Sequence, residues 1–414
     1  MKLYLRTFGC RANQYDSEAV RAMVEAEGGT IVSAPEDADV AVFNSCAVTS
    51  DAVADVRQQV RRAARANPAL RSVVMGCASA LPAEAPVLRG LPTVGGLVAG
   101  ADLAGVASAL GIPARRTSTV RQSGARALLR IQDGCDEHCT FCATTLARGA
   151  HRSRAATALV EEARALAEHH AEIVLTGVHI GGWGREHDTS LGALVERLVR
   201  EVPAVRFRLT SIEATEVDDR LGELLTGAPD RVAPHLHAPL QSGSDRMLRR
   251  MGRHWYTATA YAHAVERLTA RASVFALSAD VITGFPGEAG DDHAATLALV
   301  AGLPFTSLHV FPFSERPGTA ASRLPERVAP RVARARAAEL RDLGAAKAES
   351  HRRRRIGGTA DVVVIGRDAT RGLTEDYLEV RVDPSATPRA ARYGATLVER
   401  DGALAAEAFA ALPR

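Results

Sequence analysis

Short apolar runs alternate with longer amphipathic stretches along the first 112 residues of the chain. Short apolar runs between polar residues predict buried strands, whereas apolar positions three and four apart predict helices. Strands that alternate with helices predict an open parallel sheet, and ligands gather at the carboxyl ends of such strands. The predicted strands are Lys2–Phe8, Asp39–Phe43 and Ser72–Met75, and the predicted helices are Ser17–Glu27, with Ser17 as N-cap, and Ala52–Ala66.

The same alternation continues over residues 126–325, after a polar linker from Pro113 to Arg126. Amphipathic stretches such as Ala155–His169 and Thr257–Arg271 separate six strand-like runs. Six β/α units predict a partial, open barrel with its chemistry at the carboxyl ends of the strands. The six runs are Ala127–Gln132, Glu172–Thr176, Val205–Ser211, His235–Leu240, Phe275–Ile282 and Ser307–Phe311.

The alternation of apolar runs and amphipathic stretches ends in the C-terminal region. Residues from Glu326 to Arg355 predict a long helix rich in Arg and Ala, and short alternating strands follow it. Short strands joined by turns predict a small β-barrel. The predicted strands are Thr359–Ile365, Tyr377–Val382, Ala395–Glu399 and Ala403–Ala408. The chain is therefore predicted to be an α/β protein with an open-sheet domain (1–112), a partial (β/α)6 barrel (126–325), a basic helical connector (326–355) and a small β-barrel (356–414).

Composition and charge change this picture little. The hydrophobic fraction of 46% and the charged fraction of 24% are those of an ordinary globular protein. The net charge of +3 gives no general electrostatic case for nucleic acid, although Arg crowds the region from Arg323 to Arg355. The N-terminal apolar segment is too short for a signal peptide and is interrupted by Arg6, and no later run reaches membrane-spanning length. We therefore expect a cytoplasmic protein without a membrane partner.

Three of the six cysteines, Cys135, Cys139 and Cys142, lie within eight positions as C-x3-C-x2-C. In a large protein of a reducing compartment, cysteines indicate metal binding or catalysis before disulfides. Three thiolates on a [4Fe–4S] cluster would leave one iron open to a small molecule. Zinc with His138 as a fourth ligand fits less well, because the chelate ring would be very small and no second C-x2-C pair follows. Three buried structural cysteines fit least, because the flanking residues are polar.

The other three cysteines, Cys10, Cys46 and Cys77, each follow one predicted strand of the N-terminal sheet. A single free cysteine is most often a small buried hydrophobic residue. Three cysteines that each follow the carboxyl end of one of three parallel strands would converge at one sheet edge. This spacing favours a second cluster with three cysteine ligands and an open iron.

The run around Cys135 resembles the radical S-adenosylmethionine (SAM) superfamily, in which the open iron binds SAM and Phe141 stands where an aromatic residue packs against the adenine. The N-terminal motifs resemble the radical SAM methylthiotransferases. The Val48-Thr49 pair and the Arg57–Arg65 helix ending in Asn67-Pro68 resemble most the branch that acts on threonylcarbamoyladenosine in tRNA. The N-terminal motifs are Gly9-Cys10, Asn13, Asp16-Ser17-Glu18, Asn44-Ser45-Cys46 and Gly76-Cys77.

The resemblance also implies functional residues in the barrel. Gly177 would admit the methionine end of SAM, and Ile282 and Gly284 would flank its adenine. Individually these residues have simpler explanations, because a turn glycine or a polar side chain bonded to a neighbouring loop needs no ligand. Three positions depart from the family pattern: Thr145, His179 and Ala214. The remaining residues assigned to SAM are Glu213, Gln241 and Asp280.

The family chemistry implies catalytic roles for all six cysteines. SAM would methylate sulfur held on the Cys10/Cys46/Cys77 cluster. A second SAM, cleaved at the Cys135/Cys139/Cys142 cluster, would give a 5′-deoxyadenosyl radical that takes hydrogen from adenosine C2. The implied cofactors are two [4Fe–4S] clusters and SAM. The implied partners are the anticodon stem-loop of tRNA, modified at the adenosine next to the anticodon, and an electron donor such as flavodoxin or ferredoxin.

The C-terminal module, with the run from Gly372 to Tyr377, resembles the RNA-binding TRAM domain of this family. Basic residues beside a small β-barrel fit phosphate contacts, so Arg352, Arg353, Arg354 and Arg355 are predicted to bind RNA. A solvated helix face is the alternative. For the whole chain, two alternatives remain: the same chemistry on isopentenyladenosine or a ribosomal-protein aspartate, and a non-catalytic Fe–S protein that binds RNA. The open-iron spacing argues against the second.

Overall fold

A computed structural model describes residues 1–113, 121–366, 368–385 and 391–411. The chain forms two compact units. Unit 1 comprises Met1–Thr119, Gln132–Arg152 and Ser314–Arg323, and unit 2 comprises Val120–Ile131, Ser153–Phe313 and Leu324–Arg414. The segment that carries Cys135, Cys139 and Cys142 therefore packs within unit 1, together with the N-terminal sheet.

A five-stranded parallel sheet forms the centre of unit 1, in the order β2-β1-β3-β4-β5. The predicted open parallel sheet is confirmed, and two short strands that the pattern did not predict extend it on either side. All six residues of β3 are buried, as expected for a central parallel strand covered on both faces. The elements are β1 (Lys2–Thr7), α1 (Arg11–Ala26), β2 (Thr30–Val32), β3 (Val40–Ser45), α2 (Ser50–Ala66), β4 (Arg71–Gly76), α3 (Cys77–Ala80), α4 (Ala85–Arg89), β5 (Val94–Leu97) and α5 (Leu103–Leu110).

The first helix begins at Arg11, so the prediction that Ser17 is its N-cap was wrong. Ser17 lies inside the helix and is buried. Its hydroxyl accepts hydrogen bonds from Thr7 Oγ1 at 2.7 Å and from Asn44 Nδ2 at 3.0 Å. The polar residues that resembled a cap therefore face the sheet and join α1 to β1 and β3.

The chain then enters unit 2 through one strand and returns to unit 1 for the cysteine loop. The elements here are β6 (Ala127–Arg130), β7 (Gln132–Asp133), α6 (Thr144–Arg148) and β8 (Arg152–Ser153). Ala143 and Ala147, at the start and within α6, join the apolar core of unit 1 beside Phe43 and Val74. This packing anchors the cysteine loop to the N-terminal sheet.

Six parallel strands of unit 2 form two three-stranded sheets, β10-β9-β6 and β11-β12-β13, which confirms the predicted partial barrel. A parallel bridge between Ser211 and His237 links the two sheets. Leu, Ile and Val side chains of the strands and helices form its core. The elements are α7 (Ala156–Ala167), β9 (Glu172–Thr176), α8 (Leu191–Glu201), β10 (Arg206–Leu209), α9 (Asp219–Gly227), β11 (His235–His237), α10 (Asp245–Arg250), α11 (Ala258–Thr269), β12 (Ala276–Thr283), α12 (Gly290–Gly302) and β13 (Ser307–Pro312).

A long helix and a closed five-stranded barrel complete unit 2, with the strand order β14-β15-β16-β18-β17. The predicted β-barrel is confirmed, and β15 is an additional strand. The helix begins at Pro330 and not at Glu326, because proline suits the first helical position, where its missing N–H is not needed. The elements are α13 (Pro330–Arg355), β14 (Thr359–Ile365), β15 (Arg371–Thr374), β16 (Glu379–Arg381), β17 (Arg392–Arg400) and β18 (Ala403–Ala411).

Buried charges attach this small barrel to the strands of unit 2. Glu172 bridges Arg206 and Arg208, and all three side chains are inaccessible to solvent. Arg206 also pairs with Asp361 at 3.0 Å, and Arg208 donates to the carbonyl of Thr374 at 2.9 Å. Burial raises the pKa of Glu172, but the neighbouring arginines outweigh burial and hold that pKa well below its usual value. The network therefore remains ionised and fixes the small barrel in place.

Candidate functional site

Three adjacent strands of unit 1 bring Cys10, Cys46 and Cys77 to one edge of the sheet. Cys10 and Cys46 follow β1 and β3, and Cys77 begins α3 directly after β4. These strands are neighbours in the sheet and run parallel, so their carboxyl ends meet. We call these three cysteines the sheet triad.

Asn13 lies between the cysteines of the sheet triad. The thiols of Cys10 and Cys77 donate to Asn13 Oδ1, with sulfur–oxygen distances of 3.7 and 3.9 Å. The amide nitrogen of Asn13 donates to the carbonyls of Phe8 and Ser45, both at 2.9 Å. Its side chain is therefore held in a single orientation, with the oxygen directed at the thiols.

Gly9 makes room for the sheet triad. Its φ of +90° lies in a region that residues with a side chain rarely adopt. A Cβ atom at this position would stand 2.6 Å from Cys46 Sγ. A side chain at this position would collide with the thiol, so glycine allows the loop to pass close to Cys46.

Burial and positive charge together set the ionisation of the sheet triad. Burial raises the pKa of the Cys46 thiol, and it raises that of Cys77 to about 12. Arg148 lowers the pKa of Cys77, and Arg316 lowers that of Cys46, but neither outweighs burial. Thiols must lose their protons to bind a metal, so a metal bound here would displace protons from the triad. The two guanidinium groups supply charge opposite to that of the resulting thiolates.

Arg316 is a residue of this site that the sequence reasoning missed. It is buried, and its guanidinium donates to the carbonyl of Val48 at 2.9 Å and to Ser50 Oγ at 3.0 Å. These bonds hold the loop that follows Cys46. The available signal was the turn Ser314-Glu-Arg316-Pro-Gly-Thr319 after β13, which carries a cation immediately before proline.

The other three cysteines, here called the loop triad, lie on the segment between β7 and α6. The N–H of Cys142 donates to the carbonyl of Cys139 at 3.1 Å, and that of Cys135 donates to the carbonyl of Gly149 at 3.1 Å. Thr144 contacts the sulfur of Cys142 through its N–H, at 3.3 Å. All three cysteines and Phe141 are partly exposed. The loop is thus shaped by its own backbone, and its thiols remain accessible to an incoming cluster.

Arg148 connects the segments that carry the two triads. Its side chain is 1% exposed and pairs with Asp16 at 2.8 Å and with Asp133 at 3.0 Å. It also donates to Asn13 Oδ1 at 2.7 Å and hydrogen-bonds to Cys77. Burial lowers its pKa, but the anionic neighbours outweigh burial and raise the pKa. Asp133 lies two residues before the loop triad, so one guanidinium positions both sets of ligands.

In unit 2, the residues assigned to SAM lie at the carboxyl ends of the barrel strands, as the motifs predicted for them. Gly177 follows β9, Glu213 follows β10, and Gln241 follows β11. Ile282 lies near the end of β12, and Gly284 follows it. Gln241 adopts a φ of +63°, and its N–H donates to the carbonyl of Asp280 at 2.8 Å. Their positions agree with a common ligand site at this end of unit 2.

Glu213 and Gly284 also make close contacts with other residues of unit 2. Glu213 is buried and paired with Arg253, and burial raises the pKa of its carboxyl group. Its Oε2 has no hydrogen-bond partner among the described residues, so a ligand could satisfy it. Gly284 has a φ of +70°, and a Cβ there would stand 3.2 Å from Ala333 Cα. Gly284 is therefore also required by the close approach of α13.

The three departures from the family pattern are accommodated locally. His179 pairs with Glu216 at 2.8 Å. Thr145 lies in the first turn of α6, and Ala214 begins a short 3-10 turn.

Asp280 contacts His237 at 3.3 Å and His309 at 3.2 Å through its two carboxylate oxygens.

The arginine run at the end of α13 divides into buried and exposed residues. Arg355 is 8% exposed and pairs with Glu375 at 2.6 Å and with Asp376 at 2.9 Å. The prediction that Arg355 contacts RNA was therefore wrong, because its charge is neutralised inside unit 2. Arg352 pairs with Glu349 at 2.7 Å and is partly exposed. Arg353 and Arg354 are exposed.

Among the described helices, none combines the length and the apolar character that crossing a membrane requires.

The chain is similar to known families in two segments. Residues 2–90 match the model of an uncharacterized protein family, UPF0004, and residues 129–300 match that of the radical SAM superfamily. A radical SAM methyltransferase structure, TsrM from Kitasatospora setae, superposes with a TM-score of 0.53 at 14% identity, covering 75% of this chain and 72% of that one. This likeness concerns the fold alone.

Curated relatives cover most of the chain. The threonylcarbamoyladenosine tRNA methylthiotransferase of Bacillus subtilis is 36% identical over 78% of this chain and 75% of its own length. That of Aquifex aeolicus is 31% identical over 92% and 96%. The tRNA-2-methylthio-N(6)-dimethylallyladenosine synthase of Cereibacter sphaeroides is 34% identical over 78% of each chain. Radical SAM proteins use SAM and a [4Fe–4S] cluster, and the three cysteines of the loop triad lie within the segment that matches this superfamily. The chain belongs to the radical SAM tRNA methylthiotransferase family.

Proposed function

We propose that this enzyme attaches a methylthio group to C2 of threonylcarbamoyladenosine next to the anticodon of tRNA. The observation that carries the proposal is the pair of cysteine triads in unit 1, tied together through Arg148. The relatives from Bacillus subtilis and Aquifex aeolicus, named for this substrate, support the choice of nucleoside. The proposal extends to a second [4Fe–4S] cluster on the sheet triad.

Each part of the site has a role in this proposal. When bound, the cluster of the loop triad would supply the electron that cleaves SAM and so gives the 5′-deoxyadenosyl radical. The sheet triad holds the sulfur to be transferred, with Arg148 and Arg316 balancing its negative charge. Within unit 2, Gly177 admits the methionine end of SAM, and Ile282 and Gly284 flank its adenine. Glu213 and Gln241 provide polar contacts to SAM. A flavodoxin or ferredoxin supplies the electrons.

Isopentenyladenosine is the second candidate substrate. The synthase from Cereibacter sphaeroides, named for dimethylallyladenosine, is 34% identical over 78% of this chain, close to the 36% of the Bacillus subtilis relative. Overall similarity therefore separates the two nucleosides only weakly.

Purified protein with anaerobically reconstituted clusters should methylthiolate tRNA that carries threonylcarbamoyladenosine and leave tRNA that carries isopentenyladenosine unchanged. The measurement is mass spectrometry of nucleosides after digestion of each tRNA, with SAM and a chemical reductant present. Modification of isopentenyladenosine alone would overturn the choice of substrate. SAM cleavage without any methylthiolated nucleoside would overturn the proposed reaction.

The exposed arginines of α13 are proposed to contact tRNA phosphates. Replacing Arg353 and Arg354 together by Ala should weaken tRNA binding and reduce the slope of log affinity against log salt by about 1.5, because each neutralised phosphate contributes roughly 0.7 to 0.9. A salt titration of tRNA binding measures both quantities. Arg331→Ala with Arg334→Ala is the matched control, since it removes two exposed charges from the other end of the same helix. Equal slopes for the two double variants would contradict an RNA contact at Arg353 and Arg354.

A further inference from the structure

Three neighbouring strands of unit 2 place His237, Asp280 and His309 together. Asp280 and His309 are direct partners in the pairing of β12 with β13, and His237 is the partner of Ser278 in the pairing of β11 with β12. Ser278 and Asp280 lie two residues apart, so their side chains project from the same face of the sheet. One ligand atom of each of the three residues lies within 4.8 Å of the other two.

The separations within this group differ from those of other histidine–carboxylate pairs in the same structure. His237 Nε2 is 3.3 Å from Asp280 Oδ2, and His309 Nδ1 is 3.2 Å from Asp280 Oδ1. The other pairs are shorter: 2.9 Å for His351 with Asp376, 2.8 Å for His179 with Glu216, and 2.7 Å for His293 with Glu339.

The separations are longer than typical charged hydrogen bonds and also fit ligands of one metal ion. Hydrogen bonds between charged nitrogen and oxygen span about 2.7 to 2.9 Å. Ligand atoms bound at about 2.0 to 2.1 Å in a tetrahedral arrangement stand roughly 3.3 to 3.4 Å apart. Each of the two separations, measured to a different oxygen of Asp280, is thus close to the edge of a coordination tetrahedron.

The surroundings of the group also suit metal binding. The second ring nitrogen of His237 lies 2.9 Å from Ser278 Oγ, which orients the imidazole as outer partners of metal-bound histidines do. The His309 side chain is 54% exposed, so an ion can reach the group from solvent.

We propose that His237, Asp280 and His309 bind a divalent first-row transition-metal ion within unit 2, so that Asp280 serves as a metal ligand in place of the contact to SAM that the resemblance implied. Two imidazole nitrogens and one carboxylate are ligands that suit Zn²⁺ and Fe²⁺. The ion ties β11, β12 and β13 together. Three protein ligands leave a coordination position for water or for a substrate atom.

Zinc uptake by the holoenzyme tests this site. Protein with anaerobically reconstituted clusters is dialysed against Zn²⁺, and zinc and iron per chain are measured by mass spectrometry. We expect one zinc per chain in the parental protein and loss of that zinc in Asp280→Asn, which keeps the size of the side chain but removes its charge. His237→Ala and His309→Ala should lose it as well. His293→Ala, which breaks a short histidine–carboxylate pair elsewhere in unit 2, is the matched control and should retain it.

Iron content and zinc ligation separate this result from misfolding and from zinc on cysteine. Unchanged iron in Asp280→Asn shows that the clusters remain assembled, and X-ray absorption at the zinc edge should show nitrogen and oxygen ligands without sulfur. The proposal is overturned if the parental protein takes up no zinc, if Asp280→Asn takes up as much as the parental protein, or if the bound zinc has sulfur ligands. None of these measurements depends on tRNA modification, so their outcome is independent of the proposed function.

Discussion

Replacement of Cys10, Cys46 and Cys77 together by Ala is expected to abolish methylthiolation of tRNA while reductive cleavage of SAM continues. The sheet triad lies at the carboxyl edge of the N-terminal sheet, whereas the loop triad is shaped by hydrogen bonds of its own backbone. Removing the sulfurs of one triad therefore leaves the ligands of the other in place. Iron per chain should fall to about half of the parental value if each triad holds one cluster of the same type.

The reciprocal variant is the matched control. Replacing Cys135, Cys139 and Cys142 by Ala should remove a similar amount of iron but should abolish both SAM cleavage and product formation. Iron analysis, 5′-deoxyadenosine formation and nucleoside mass spectrometry measure the three quantities on the same samples. Product at the parental rate from the sheet-triad variant, or SAM cleavage by the loop-triad variant, would contradict this division of roles.

Replacement of Arg148 by Met is expected to lower the cluster content of both triads. The guanidinium neutralises Asp16 and Asp133, and the Asp16 side chain is fully buried. Removing one partner of a buried ion pair leaves an uncompensated charge, which destabilises a protein by about 3–5 kcal/mol. Loss of Arg148 also removes one hydrogen bond to Asn13 Oδ1, the atom that faces Cys10 and Cys77. Iron content and the thermal unfolding midpoint measure the effect.

Arg152→Met provides the control for Arg148→Met. Arg152 lies on the same segment and is 3.8 Å from Asp133, but its side chain is 60% exposed. Its loss should change the unfolding midpoint little, because exposed ion pairs contribute about 0–1 kcal/mol. Adding Asp16→Asn to Arg148→Met should recover part of the lost stability, since the buried carboxylate that Arg148 neutralises is then removed. Parental iron content and midpoint in Arg148→Met would contradict a positioning role for Arg148.

The local pattern of the chain was sufficient for most of the fold. The central strands of the N-terminal sheet and the six barrel strands lie where the apolar runs predicted them, because a strand buried on both faces must be apolar along its length. The grouping of the sheet triad also followed from the sequence. Cysteines that directly follow neighbouring parallel strands must meet at the same edge of the sheet.

Other features depend on contacts between residues far apart in the chain. Ser17 resembled a cap, but packing of α1 on the sheet buried it against Thr7 and Asn44. In the sequence, Arg355 resembles its three neighbours. In the structure it is buried and pairs with Glu375 and Asp376. Burial decides whether a charge serves recognition or stability, and burial is not a local property of the sequence.

The site itself depends on both kinds of information. The spacing of the cysteines predicted the metal ligands, because ligand chemistry is carried by residue type and position. The residues that position those ligands could not be found in this way, since Arg148 meets Asp16 across 132 positions and Arg316 meets Val48 across 268. Asp280 and His309 likewise became neighbours only through strand register. Ligand identity is thus local in the chain, whereas the charge and geometry around the ligands arise only when distant segments pack together.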